Sequence, residues 1–145
     1  MKFSEIEKNI WEEHQEYLDT CLLPFTGLTG LENPMEVTKS LEGLRDMLEY
    51  VEIPFKGRVV TYPAVHFSHE EQYLESYLKK ICFNLKKQGF QYIILISNCP
   101  EIHNFNLQDF CLLLTPSESE VENVNLKEEI SNKVQALWNN NNDLQ

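Results

Sequence analysis

Two stretches, Tyr92-Ile93-Ile94-Leu95-Ile96 and Phe110-Cys111-Leu112-Leu113-Leu114, are apolar at every position. A strand with one wet face alternates apolar and polar residues, whereas a strand without alternation is covered on both faces. Covering both faces takes helices on both sides of a sheet, which restricts the chain to layered α/β arrangements. The 145 residues suffice for one such domain, able to bury roughly two-thirds of its unfolded surface.

The helices that would do the covering are marked by a repeated device. Ser4-x-x-Glu7, Asn33-x-x-Glu36, Ser68-x-x-Glu71 and Asn125-x-x-Glu128 each place a capping residue three before a glutamate. The cap side chain accepts from an orphan N–H, and the glutamate reaches back to the cap's own N–H. The second helix is predicted to start at Pro34, carry Val37, Leu41, Leu44, Leu48 and Val51 on one face, and stop at Pro54. The third is predicted from about His69 to Gln88, with Leu74, Leu78, Ile81 and Leu85 inward and Gly89 as its stop. The fourth carries Leu126, Ile130, Val134 and Leu137, with Trp138 as an anchor. The first, around Glu5 to Gln15, carries Ile6, Ile10 and Trp11.

Two further apolar runs, Cys21–Phe25 and Arg58–Tyr62, complete the strands. Strands alternating with helices build a parallel sheet with right-handed crossovers. The expected fold is therefore a small three-layer α/β/α sandwich around a mostly parallel four-stranded sheet. Only Ser97 to Asp109 joins the last two strands, so the final edge strand is open to either a parallel or an antiparallel direction. Residues 1–138 are expected to form a single domain and 139–145 a polar tail, with Ser117–Glu120 a solvated linker.

Twelve basic residues against 23 acidic ones give a net charge of −11. A nucleic-acid binder needs a basic stripe, and the basic doublets here fall on one helix, so nucleic acid and anionic membrane surfaces are not expected partners. No apolar run approaches the ~18 residues of a membrane span, and the polar, acidic start is unlike a secretory signal. Cys21, Cys82, Cys99 and Cys111 form no CxxC pair and sit in or beside apolar runs. Reduced thiols in a cytoplasmic protein are the expectation.

Ligands of an open parallel sheet bind beyond the carboxyl ends of its strands. His66, His69, Cys99 and His103 fall at that edge, and Glu32 arrives in the loop after the first strand. Imidazole, thiolate and carboxylate are zinc ligands, and His66-x-x-His69 has a ligand-like spacing. Against this, Ser68 and Glu71 explain one another as a cap pair, and Glu70 and Glu71 suit a helix N-terminus. The five residues are therefore taken as a candidate ligand edge without a metal or other cofactor. Thr26-Gly27-Leu28-Thr29-Gly30 lies between a strand and a capped helix, where phosphate cradles occur, but lacks both GxGxxG and GK[ST].

Tyr17-Leu18-Asp19-Thr20-Cys21-Leu22-Leu23-Pro24, Phe55-Lys56-Gly57-Arg58-Val59 and Tyr62-Pro63-Ala64 resemble the YpiF-like family of low-GC Gram-positive bacteria. The resemblance covers most of the chain and implies no assigned activity. More distantly, Leu23-Pro24-Phe25-Thr26-Gly27 and Gly89-Phe90 with Tyr92–Ser97 are similar to creatininase-type amidohydrolases. Where that family places a metal-binding acid and histidine, Thr29-Gly30-Leu31-Glu32 has no histidine. Where it has an NGHGGN-like loop, Asn98-Cys99-Pro100-Glu101 has neither the glycines nor the histidine. The resemblance implies a shortened relative without the metal ligands.

The expected function is non-catalytic binding of a protein or small ligand at the carboxyl edge of the sheet. The alternative is a divergent metal-dependent hydrolase using Glu32, His66, His69 and Cys99. A third reading, an oligomerisation module on an outer helix, leaves the oligomeric state open.

Overall fold

Ile94 and Leu95 are adjacent in sequence and both wholly buried, on opposite faces of the sheet. The computed structural model describes residues 1–67, 71–115 and 123–142. Its helices are α1 (Lys8–His14), α2 (Pro34–Glu52), α3 (Glu71–Lys87) and α4 (Asn123–Asn142). Its strands are β1 (Thr20–Leu28), β2 (Val59–Thr61), β3 (Val65–Phe67), β4 (Tyr92–Ser97) and β5 (Leu112–Leu114). Short 3₁₀ turns occupy Phe3–Glu5 and Pro100–Asn104.

The sheet runs in the order β2-β1-β4-β5, with β3 also beside β1. Every pairing is parallel. The last strand is thus parallel, not antiparallel: Ile94, Leu95 and Ile96 face Leu112, Leu113 and Leu114 in register. The 97–109 connection reaches back across the sheet through its 3₁₀ turn, with Ile102 and Leu107 buried in the core on the α3 face. That is a short crossover without a full helix.

One core packs α3 onto the sheet through Leu74, Leu78, Cys82 and Leu85 against Cys21, Leu23, Ile93 and Leu95, with Trp11 of α1 at its margin. The other packs Leu44, Met47 and Val51 of α2 and Ile130, Val134 and Trp138 of α4 against Leu22, Val59, Ile94 and Ile96. The fold is an α/β/α sandwich with two helices on each face.

One outer lane holds two strands where one was expected. β2 pairs with Thr20–Leu22 and β3 with Phe25–Leu28, and the break between them is Tyr62-Pro63-Ala64. The Thr20 N–H donates to the Arg58 carbonyl at 3.3 Å, and the Tyr62 N–H donates to the Leu22 carbonyl at 2.9 Å. Alternate β1 residues therefore turn their backbone polar groups toward this lane, and Pro24 is next in that series. A proline has no N–H to give a neighbouring strand. Its position in an interior strand is tolerated because the neighbouring lane is interrupted beside it.

Asn33 caps α2 as expected. Its side chain accepts from the Glu36 N–H at 2.9 Å, and Glu36 accepts from the Asn33 N–H at 3.4 Å. Two other cap assignments are corrected. Thr61 donates its N–H to the Met1 carbonyl at 2.8 Å and Lys2 bridges Thr61, so the chain leaves this pairing through a 3₁₀ turn and α1 begins only at Lys8. Ser4 is not its cap; Glu7 is the N-cap residue, without a side-chain cap bond. Asn125 lies inside α4, already helical from Asn123, and the same helix continues through Asn139–Asn142, which the sequence suggested as tail. Ser68, His69 and the 117–120 stretch lie outside the described residues.

Candidate functional site

The strand order reverses between β1 and β4. From β1 the chain leaves through α2 toward β2 on one side, and from β4 it leaves toward β5 on the other. The two exits diverge and leave a crevice above the carboxyl ends of these neighbouring strands, the place where doubly wound sheets bind ligands. In this protein the crevice is a cleft of about 790 Å³. Its floor is Thr26 and Gly27 from β1 with Asn98 and Cys99 following β4, and its wall is the Glu36, Ser40, Gly43 and Asp46 stripe of α2.

Two contacts fix this geometry. Asn98 Nδ2 donates to the Ser40 carbonyl at 3.0 Å, tying the end of β4 to α2. A Cβ on Gly43 would meet the same Nδ2 at 3.4 Å, the near edge of ordinary van der Waals contact. Below, Gly27 adopts φ +70° where the β1–β3 register shifts, and its Cα faces Cys99 directly.

The glycine loop after β1 is occupied by its own chain. The Glu32 carboxylate accepts from the N–H groups of Thr29 (3.0 Å) and Gly30 (2.9 Å) and from Thr29 Oγ1 (2.9 Å). These bonds, the Thr29 N–H foremost, hold its pKa down to about 2. Donors that could grip a phosphate at such a strand–helix loop are spent on an internal carboxylate.

Among the candidate residues, the structure brings Glu32 and Cys99 to the same cleft. His66 is exposed on β3, and its carbonyl accepts from Thr26 Oγ1 at 3.1 Å. His103 is exposed in the 3₁₀ turn, with Nε2 2.7 Å from Thr115 Oγ1. Cys99 Sγ donates to Glu101 Oε2 at 2.9 Å. Burial, reinforced by that carboxylate, pushes the Cys99 pKa up to about 11, so the group is a thiol at neutral pH. Among the described residues, no three His, Cys, Asp or Glu side chains are grouped to hold a metal. The residues not singled out from sequence are those of α2, together with Asn98 and Glu101. Their signal was a glycine inside a long helix, at helical spacing from Glu36, Ser40 and Asp46.

The cleft's charge is one-sided: among the described residues, Glu32, Glu36, Glu42, Asp46 and Glu101 face it, against Lys39. Among the described residues, no helix is long and apolar enough to cross a membrane. No curated protein and no solved structure matches the chain. A family model does match, over residues 9–139, and the chain belongs to that family, described as "Protein of unknown function (DUF2487)".

Proposed function

We propose that the chain is a binding domain, not a catalyst, and that its ligand presents a cationic group to the cleft between β1, β4 and α2. The observation that carries this reading is the cleft's position at the point where the strand order reverses. Its lining sets the sign of the ligand. Among the described residues five carboxylates stand against Lys39, and the loop N–H groups that would favour an anion already hold Glu32. The binding unit is the α/β domain of residues 1–138, with 139–145 as its extension. Free thiols at all four cysteines suit the cytoplasm. The motifs around Asp19 and Arg58 support the finer name YpiF-like.

The test uses spermidine as a cationic probe and inorganic phosphate as an anionic one, followed by amide NMR shifts. Spermidine should move the Gly27, Gly43 and Asn98 signals together, and the effect should weaken with added salt. In Asp46→Lys these shifts should shrink several-fold. Spermidine shifts confined to other surfaces, or phosphate shifts at these three amides, would overturn the reading.

A further inference from the structure

The break in the outer lane beside β1 opens a second cavity, of about 250 Å³, on the face of the sheet that α2 covers. Its floor is Pro24 and Thr26 of β1, and one side is the Tyr62-Pro63-Ala64 break between β2 and β3. The opposite side is Leu41, Leu44 and Leu48, an apolar stripe of α2 at helical spacing. The bridge of Lys2 to Thr61 lays the amino-terminal segment along the cavity, so that Lys2 and Phe3 also line it. Arg45 of α2 supplies a second cation.

The other polar groups of this lining are already engaged. Thr26 Oγ1 donates to the His66 carbonyl at 3.1 Å, and Thr61 Oγ1 donates to Glu52 Oε2 at 2.9 Å. Tyr62 turns its ring to the opposite core, edge-on to Phe90 at 5.2 Å. What is left for a ligand is an apolar wall and two cationic groups. Among the described residues no carboxylate lines the cavity, although the chain carries a net charge of −11. Arg45 Nη2 meets Asp46 Oδ1 at 3.7 Å, beyond the length of a charge-assisted hydrogen bond, and Lys2 makes no ion pair among the described residues. Phe3 and Leu41 expose apolar surface beside these charges.

We infer that this cavity binds a free medium-chain monocarboxylate, with its alkyl chain against Pro24 and the α2 leucines and its carboxylate at Lys2 and Arg45. The guanidinium fork matches a carboxylate, and the apolar wall rewards a chain rather than a bare anion. A cavity of about 150 Å³ lined by apolar side chains holds one benzene ring. By proportion the 250 Å³ here takes a chain of roughly eight to ten carbons. The site shares Thr26 with the acidic cleft but takes a ligand of the opposite charge, so it stands or falls separately from the cleft.

Sodium octanoate is the probe, followed by amide NMR on the full chain, with octanol as its uncharged counterpart. Octanoate should move the Leu44, Leu48 and Ala64 signals together and bind about tenfold tighter than octanol. Arg45→Gln and Lys2→Gln should each weaken octanoate several-fold and leave octanol unchanged. Should either variant fail to fold, the wild-type preference for the acid over the alcohol decides. From butanoate to octanoate each added methylene should tighten binding about fourfold, and the gain should stop at roughly ten carbons. Octanol binding as tightly as octanoate, affinity that does not grow with chain length, or octanoate shifts confined to other surfaces would overturn the inference.

Discussion

At Gly27 two constraints coincide: the backbone is left-handed, and a Cβ there would stand 2.8 Å from both Cβ and Sγ of Cys99. A left-handed residue with a side chain costs about 1–2 kcal/mol before any clash. Gly27→Ala should therefore lower stability by at least that amount in urea melts, and Cys99→Ala should not restore it, because the Cys99 Cβ remains. Five residues beyond Gly27, Glu32 makes a pH prediction. Its folded pKa lies near 2 against an ordinary 4.5. The depressed value means that its contribution is present above 4.5 and fades as the pH falls toward 2. Glu32→Gln should flatten the acid loss of stability in that window, and carboxyl NMR should give the wild-type midpoint near 2.

Among the elements, α4 depends most on one side chain. Trp138 packs edge-on to Phe55 at 5.1 Å, lies under the Arg58 guanidinium at 4.0 Å, and donates Nε1–H to Thr20 Oγ1 at 3.0 Å. Thr20 and Arg58 both donate in turn to Asp19, so the start of β1, the turn before β2 and α4 close on one network. Trp138→Phe keeps an aromatic ring but removes the donor and part of the buried indole, and should cost at least about 1 kcal/mol. Combined with Thr20→Val, the loss should be less than additive in denaturant melts. Asp19, Thr20 and Arg58 also lie in the motifs that carried the family resemblance, which gives those motifs a structural role away from the cleft. The sandwich itself was legible because β4 is apolar at adjacent positions, a pattern that only two covering layers satisfy. The cap of α2 was legible because it is made within four residues. The start of α1 was not, since the pairing of Met1 and Lys2 with Thr61 is long-range and overrides the Ser4 pattern. β3 is too short to show a period, and Pro63 just before it reads as a turn. Of the site, Glu32 and Cys99 could be placed at the strand ends, whereas the α2 wall depends on which strands α2 crosses.

For the whole molecule, the interruption at Pro63 matters beyond the lane it divides. β1 and β4 are the longest of the described strands, and exposed apolar strands of this kind recruit other chains by backbone pairing. Here they occupy the two interior lanes. The border beside β1 is broken into two three-residue pieces, one of them bridged by Lys2, and the border beyond β4 is the three-residue β5. An incoming strand would find few consecutive backbone groups in register at either border. Replacing Pro63 with valine restores a donor and a strand-favouring residue at the break. Pro63→Val should aggregate faster than the wild type on mild heating, measured by thioflavin fluorescence and light scattering, with little change in the urea midpoint. The proline thus acts less on how firmly the chain holds its own fold than on how poor a template that fold offers to its neighbours.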